Sequence, residues 1–140
     1  MSDAGRPAKP HVLLVDDEPD TVLTLSLGIE MDGLRVSSAR DGGQALEMVA
    51  RDAPDLVFTD LMMPALDGVE LVTRLWANPA TKGIPVLVMT GRFLDPKMQA
   101  TLESFANIRG VIQKPFPLKV VISAIRRVLN HRGTGIPRHE

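Results

Sequence analysis

The sequence predicts an α/β protein: a doubly wound (βα)5 fold with a five-stranded parallel sheet, strand order 2-1-3-4-5, and helices on both faces. Three observations predict it. Short apolar runs alternate with stretches of helical periodicity. Gly, Pro, Asn and Asp break the chain at the joints between them. The strongest apolar runs are continuous, as in strands buried on both faces. Such alternation means parallel pairing with right-handed crossovers.

The elements follow in order. His11 to Val15 is apolar and too short for a helix, so it is expected to be a central strand. Asp16-Asp17-Glu18 ends it, and Pro19 suits the first turn of a helix running to about Met31. Gly33 breaks the chain, and the polar run Arg35 to Ala39 reads as an edge strand. Asp41 and Gln44 form a capping box, followed by the apolar stripe Ala45, Leu46, Val49 and Ala50. Pro54 ends that helix, and Leu56 to Phe58 then runs straight into Asp60, with Pro64 as a breaker beyond. Asp67 and Glu70 make a second capping box, and Val69, Val72, Leu75 and Trp76 are the expected buried face of the third helix. Trp76 reads as core packing. Asn78-Pro79 stops this helix.

Ile84 to Met89 is the fourth strand, ending at Thr90-Gly91, and a less regular helix spans about Pro96 to Phe105. Gly110 to Gln113 is a short fifth strand, followed by Lys114-Pro115. Leu118, Val121, Ile122, Ile125, Val128 and Leu129 repeat at helical spacing in the last helix. Arg126 and Arg127 near its end suit the helix dipole. Residues 1–10 and 131–140 are expected to be flexible tails flanking one domain, 11–130.

Composition narrows the function. The chain has 140 residues, 44% hydrophobic and 24% charged, enough for one compact core. A net charge of −1 argues against direct nucleic-acid binding or an acidic membrane surface as the main partner. Without Cys there is no disulfide, thiolate nucleophile or zinc thiolate site. No apolar run approaches the ~20 residues of a membrane span, and no signal peptide is evident, so a cytoplasmic location is expected.

The candidate site lies at the strand ends. The first strand ends at Asp16 and Asp17, the third at Asp60, the fourth at Thr90 and the fifth at Lys114. In an open parallel sheet, ligands bind outside the carboxyl ends of the strands. Three carboxylates brought together repel one another, and a single ammonium does not neutralise them. A hard divalent ion does. Mg²⁺ takes one or two carboxylates, keeps several waters and leaves positions for phosphate oxygens. The set therefore suits Mg²⁺ and a phosphoryl group.

With these residues in hand, the chain resembles the receiver domain of bacterial two-component response regulators. Val15-Asp16-Asp17-Glu18-Pro19, Asp60 through Pro64 with Asp67-Gly68, Thr90-Gly91, and Lys114-Pro115-Phe116 match that family's motifs in order. The resemblance implies a receiver fold in which Asp60 is the phosphoacceptor nucleophile. It implies that Asp17 ligates Mg²⁺ directly, Asp16 directly or through a water, Asp60 as well, and Met62 by its backbone carbonyl. Thr90 and Lys114 would each hold a phosphoryl oxygen. The Lys114–Pro115 bond is implied to be cis. The implied phosphodonor is a histidine kinase or a histidine phosphotransfer protein. The implied output is a downstream protein bound at the face made by the fourth helix, fifth strand and fifth helix.

The chain also departs from the family. Val111 stands where a Tyr or Phe is usual, three residues before the Lys, so the usual inward swing of a ring is not available. Phe93 and Phe116 are the nearest aromatic candidates to replace it. The Thr90-to-Lys114 spacing is slightly long, and Phe105 to Gly110 lacks the familiar Ala-Gly-Ala pattern. Met62 and Arg92 occupy positions that influence phosphoryl lifetime in the family.

Competing readings remain at the level of sequence. A Mg²⁺-dependent phosphohydrolase of the haloacid-dehalogenase-like group would need an acid two residues after its nucleophile, where this chain has Met62. A flavin carrier would need a phosphate-binding loop where Asp16-Asp17-Glu18 would repel phosphate. A pseudo-receiver would keep the fold and bind partners without phosphorylation. His11, His131 and His139 lie at no predicted carboxyl strand end and are read as non-functional.

Overall fold

The computed structural model describes residues 9–63, 67–91 and 94–131. The elements run β1 (His11–Val15), α1 (Pro19–Met31), β2 (Arg35–Ala39), α2 (Gly42–Arg51), β3 (Leu56–Asp60), α3 (Gly68–Ala77), β4 (Val86–Thr90), α4 (Pro96–Glu103), β5 (Ile108–Gln113) and α5 (Leu118–His131). The sheet is five-stranded and parallel in the order β2-β1-β3-β4-β5. The expected architecture and strand order are therefore both present. Pro64, Arg92 and Phe93, and most of both tails including His139, lie outside the described residues.

Every residue of β1, β3 and β4 is buried, which explains their continuous apolar character. Successive side chains point to opposite faces. Leu13, Val15, Val57, Val86 and Val88 pack beneath α2, α3 and α4. Val12, Leu14, Leu56, Phe58, Leu87 and Met89 pack beneath α1 and α5. β2 is the half-exposed edge anticipated from its polar residues.

Helix starts follow the predicted chemistry with one exception. Asp41 accepts from the Gln44 N–H at 2.8 Å, and the Gln44 side chain reaches back to the Arg40 N–H at 2.7 Å. Asp67 accepts from the Glu70 N–H at 2.9 Å. The Glu70 carboxylate instead runs forward to Arg74 Nη2 at 2.7 Å, so the second box is only half made. An unforeseen cap, Asp95, accepts from the Met98 N–H at 2.7 Å and starts α4.

Several details differ from expectation. Ala50 is exposed, and α3 buries Leu71 fully while Val69 and Trp76 are only half-buried. Trp76 stacks on Phe105, with ring centroids 6.0 Å apart, and Lys82 sits over its outer face. Leu118 is exposed, although Val121, Ile125 and Val128 are buried as predicted. β4 starts at Val86 because Ile84-Pro85 belongs to the preceding loop, and α4 ends at Glu103. β5 starts earlier than predicted, at Ile108.

The long Thr90-to-Lys114 spacing has a visible consequence. Val86 pairs with Ile108 but Leu87 pairs with Gly110, so Arg109 is an extra residue on β5. It is absorbed as a bulge, which kinks a strand locally without disturbing the pairing beyond it. Arg126 departs from its dipole role. Its Nε donates to Asp32 Oδ2 at 2.7 Å, and a second guanidinium N–H donates to the Asp32 carbonyl, tying α5 to the end of α1. Gly33 follows at φ +87, the left-handed turn that favours glycine there.

Candidate acidic site at the carboxyl edge of the sheet

Strand register assembles the site. Val15 is opposite Thr59, so the next residues, Asp16 and Asp60, come side by side. Asp60 is opposite Met89, and Thr90 follows. Thr90 is opposite Gln113, and Lys114 follows, its N–H donating to the Thr90 carbonyl at 2.8 Å. Parallel strands in this register leave these four side chains on one edge. The Lys114–Pro115 bond is cis, as the resemblance implied.

Lys114 Nζ lies 3.0 Å from Asp60 Oδ2 and 3.5 Å from Asp16 Oδ2. Asp60 Oδ1 accepts from the Met62 N–H at 3.0 Å. Asp16 Oδ1 accepts from the Glu18 N–H at 2.9 Å, so the same carboxylate also shapes the start of α1. Asp16, Asp60 and Thr90 are buried, whereas Asp17 is exposed. The Met62 side chain is exposed and leaves the site to its backbone.

Among the described residues, Asp16, Asp17 and Asp60 each offer an oxygen within 4.8 Å of the others. Burial raises the pKa of Asp16, with a smaller push from Asp60, against the Glu18 N–H and the Lys114 charge. For Lys114, burial pulls the pKa down, but the hydrogen bond to Asp60 and the charges of Asp16 and Asp60 outweigh it, and the net direction is up. The ammonium therefore stays charged across the neutral range. Three hard oxygen donors facing one ammonium fit a small divalent cation, and the exposure of Asp17 leaves room for its waters.

Gly68 is a site residue that sequence reasoning matched only as part of a motif. A Cβ there would lie 2.0 Å from the Asp60 carbonyl oxygen and 2.6 Å from Leu61 Cα. The start of α3 thus presses on the backbone that carries Asp60, and the Gly68 N–H donates to the Leu61 carbonyl at 3.1 Å. The sequence signal was a Gly directly after a helix-capping Asp. Gly68→Ala is expected to destabilise the fold by about 1–3 kcal/mol through overpacking. On the phosphoacceptor role that the resemblance implies for Asp60, it is also expected to slow phosphoryl uptake there. Chemical denaturation and intact mass would measure the two effects, and an unaffected Gly68→Ala protein would show that the backbone gives way freely.

A doubly wound sheet with a carboxylate cluster and a lysine at its carboxyl edge defines a class: α/β modules with an acidic site where the parallel strands end. Within that class the chain belongs to the response regulator receiver domain family, whose family model matches residues 12–126. It is thus a receiver domain of the two-component response regulator type. It is 35% identical over 125 residues to the transcriptional regulatory protein PrrA of Mycobacterium tuberculosis, a match covering 89% of this chain and 52% of that protein. It is 37% identical over 119 residues to the response regulator MprA of Mycobacterium leprae, covering 85% and 50%. The chain spans about half the length of these relatives. Among solved structures, the signal receiver domain of a histidine kinase from Syntrophus aciditrophicus superposes with a TM-score of 0.79 at 26% identity, covering 94% of this chain and 98% of that one. A CheY-like receiver domain protein from Methanospirillum hungatei superposes at 0.82 with 20% identity, covering 89% and 97%, and shows the shared fold. Among the described residues, no helix is long and apolar enough to cross a membrane.

Proposed function

We propose that this chain is a Mg²⁺-dependent phosphoacceptor switch, charged at Asp60 by a histidine kinase or a histidine phosphotransfer protein. One observation carries the reading: Lys114 Nζ is 3.0 Å from Asp60 Oδ2 while Asp16 and Asp17 oxygens lie within 4.8 Å of Asp60. Opposite charges beside a strand-end carboxylate support a role in phosphoryl transfer, which depends on positioning and charge neutralisation.

In the step itself an Asp60 carboxylate oxygen attacks phosphorus. The new O–P bond replaces the N–P bond of the donor phosphohistidine, and the departing imidazole takes up a proton. A carboxylate nucleophile has no proton to lose before it attacks, so Asp60 needs no activating base. Lys114 holds one transferred oxygen in place of its present contact to Asp60. The Thr90 hydroxyl holds another. Asp17 would hold Mg²⁺ directly, Asp16 directly or through water, with Asp60 and the Met62 carbonyl as the other protein ligands. When bound, Mg²⁺ supplies the charge that lets an anionic group approach three carboxylates. Catalysis is then mostly positioning and charge neutralisation. The chain acts by switching contacts, in the cytoplasm, without turning over a substrate of its own.

The downstream partner is proposed to bind the α4–β5–α5 face. A cleft of about 670 Å³ opens there, with Val111 and Val120 exposed along it. Val111 is 47% exposed, so the position that usually carries a switching ring presents a small apolar surface.

The test is intact mass after incubation with acetyl phosphate and Mg²⁺, beside an EDTA blank. A Mg²⁺-dependent gain of about 80 Da, one phosphoryl group, is expected. No gain with acetyl phosphate or with a histidine kinase donor would leave a pseudo-receiver.

A further inference from the structure

A second polar cluster occupies the opposite edge of the sheet, where β1 begins. His11 is buried, yet its Nδ1 has no hydrogen-bond partner. Its Nε2 is 2.8 Å from Ser37 Oγ on β2. The Asp52 Oδ2, at the C-cap of α2, is 3.9 Å from Nδ1 and 3.4 Å from Arg35 Nη1. A cavity of about 140 Å³ adjoins these groups, lined by His11, Leu13, Ser37, Met48, Arg51 and Asp52. Such a volume holds several waters, or the movement of a side chain.

We propose that His11, Asp52 and Arg35 form a proton-operated latch between the end of α2 and the β1–β2 edge. A neutral imidazole needs one donor contact and one acceptor contact, and a protonated one has two N–H donors to place. Ser37 Oγ takes one. Asp55, the other nearby acid, already accepts the His11 backbone N–H at 2.7 Å. Asp52, with its Oδ2 at 3.9 Å, is the acid facing Nδ1, and its side chain is mostly exposed and able to move. Closing 3.9 Å to a charge-assisted hydrogen bond requires a shift of about 1 Å. Asp52 would then trade Arg35 for His11. Because the Asp52 N–H is bonded to the Met48 carbonyl at 2.9 Å, the last turn of α2 follows.

The charges set where the latch closes. Burial first, and then the Arg35 guanidinium, lower the His11 pKa, while Asp52 and Asp55 pull it up more weakly. Arg51, on the cavity wall, adds a further positive charge. With the folded pKa below the unfolded value of ~6.5, the unfolded chain binds the proton more readily. The stability that neutral His11 contributes is therefore full above pH ~6.5 and is lost as pH falls through the folded value.

The test is an NMR titration of the whole chain from about pH 8 to pH 5, following the His11 ring and the backbone amides. The His11 midpoint is expected below that of an exposed histidine, with the amides of Met48 to Asp52 shifting at the same midpoint. Arg35→Gln should raise that midpoint and Asp52→Asn should lower it. Amides at the end of α2 that ignore the His11 transition would overturn the latch, as would a midpoint indifferent to both substitutions. The amide comparison needs no variant, so it decides even where a substitution impairs folding.

Discussion

Asp60→Asn is expected to abolish phosphoryl uptake completely while leaving the fold in place. The substitution is nearly isosteric. An amide oxygen can still accept the Met62 N–H that now lies 3.0 Å from Asp60 Oδ1. The amide nitrogen would face the Lys114 ammonium, donor against donor, and Lys114 would turn to Asp16, already 3.5 Å away. What disappears is the anionic nucleophile and one of three carboxylates, so Mg²⁺ should bind more weakly. Stability should change by no more than about 1 kcal/mol, because no cavity is made and the backbone donor stays satisfied. Intact mass and thermal unfolding measure both sides. A Mg²⁺-dependent mass gain that survived in Asp60→Asn would move the acceptor to another residue and sink the proposed role.

Lys114→Ala should produce the second large effect, in two readouts at once. It removes the ammonium that pairs with Asp16 and Asp60, and among the described residues no other cation is paired with these two buried carboxylates. Breaking a buried ion pair from one side is costly because the remaining charge is uncompensated. Lys114 keeps some exposure, so a loss of about 2 kcal/mol in metal-free buffer is expected rather than the full buried-pair figure. Mg²⁺ should restore much of that loss, since a cation bound only by the folded state stabilises by mass action. Phosphoryl transfer should nevertheless stay about 100-fold slow, the scale for removing one preorganised charge from a transition state. Denaturant melts with and without Mg²⁺, beside acetyl-phosphate kinetics, separate the two. If Mg²⁺ restored the rate as fully as the stability, Lys114 would be a structural counter-charge only.

Much of this was legible in the sequence because two periodicities carry it. Runs such as Leu56 to Phe58 and Val86 to Met89 are apolar throughout since both sheet faces are covered, and that alone implies parallel strands between helix layers. The acids stand at strand ends because a carboxylate cannot sit mid-strand in that core without a partner. Edges and faces were read less well. Ala50, Trp76 and Leu118 continue helical patterns, but composition does not say where a neighbouring helix stops covering them. Glu70 had two possible partners, and Arg74 one turn on prevailed over its own backbone. His11 carries no signal in the sequence, because it lies at no carboxyl strand end, whereas its burial and its unpartnered Nδ1 are what distinguish it.

The sequence by itself determined the order of the elements, the parallel sheet and the identities of Asp16, Asp17, Asp60, Thr90 and Lys114 as strand-end residues. Local pattern is sufficient for this, because side-chain alternation and helix breakers act over a few residues. The tertiary structure alone decided the distances: the Lys114–Asp60 contact across 54 positions of chain, the approach of Gly68 to the Asp60 carbonyl, and the meeting of His11, Ser37 and Asp52. Those depend on strand register and helix packing, which arise only when distant segments share one core.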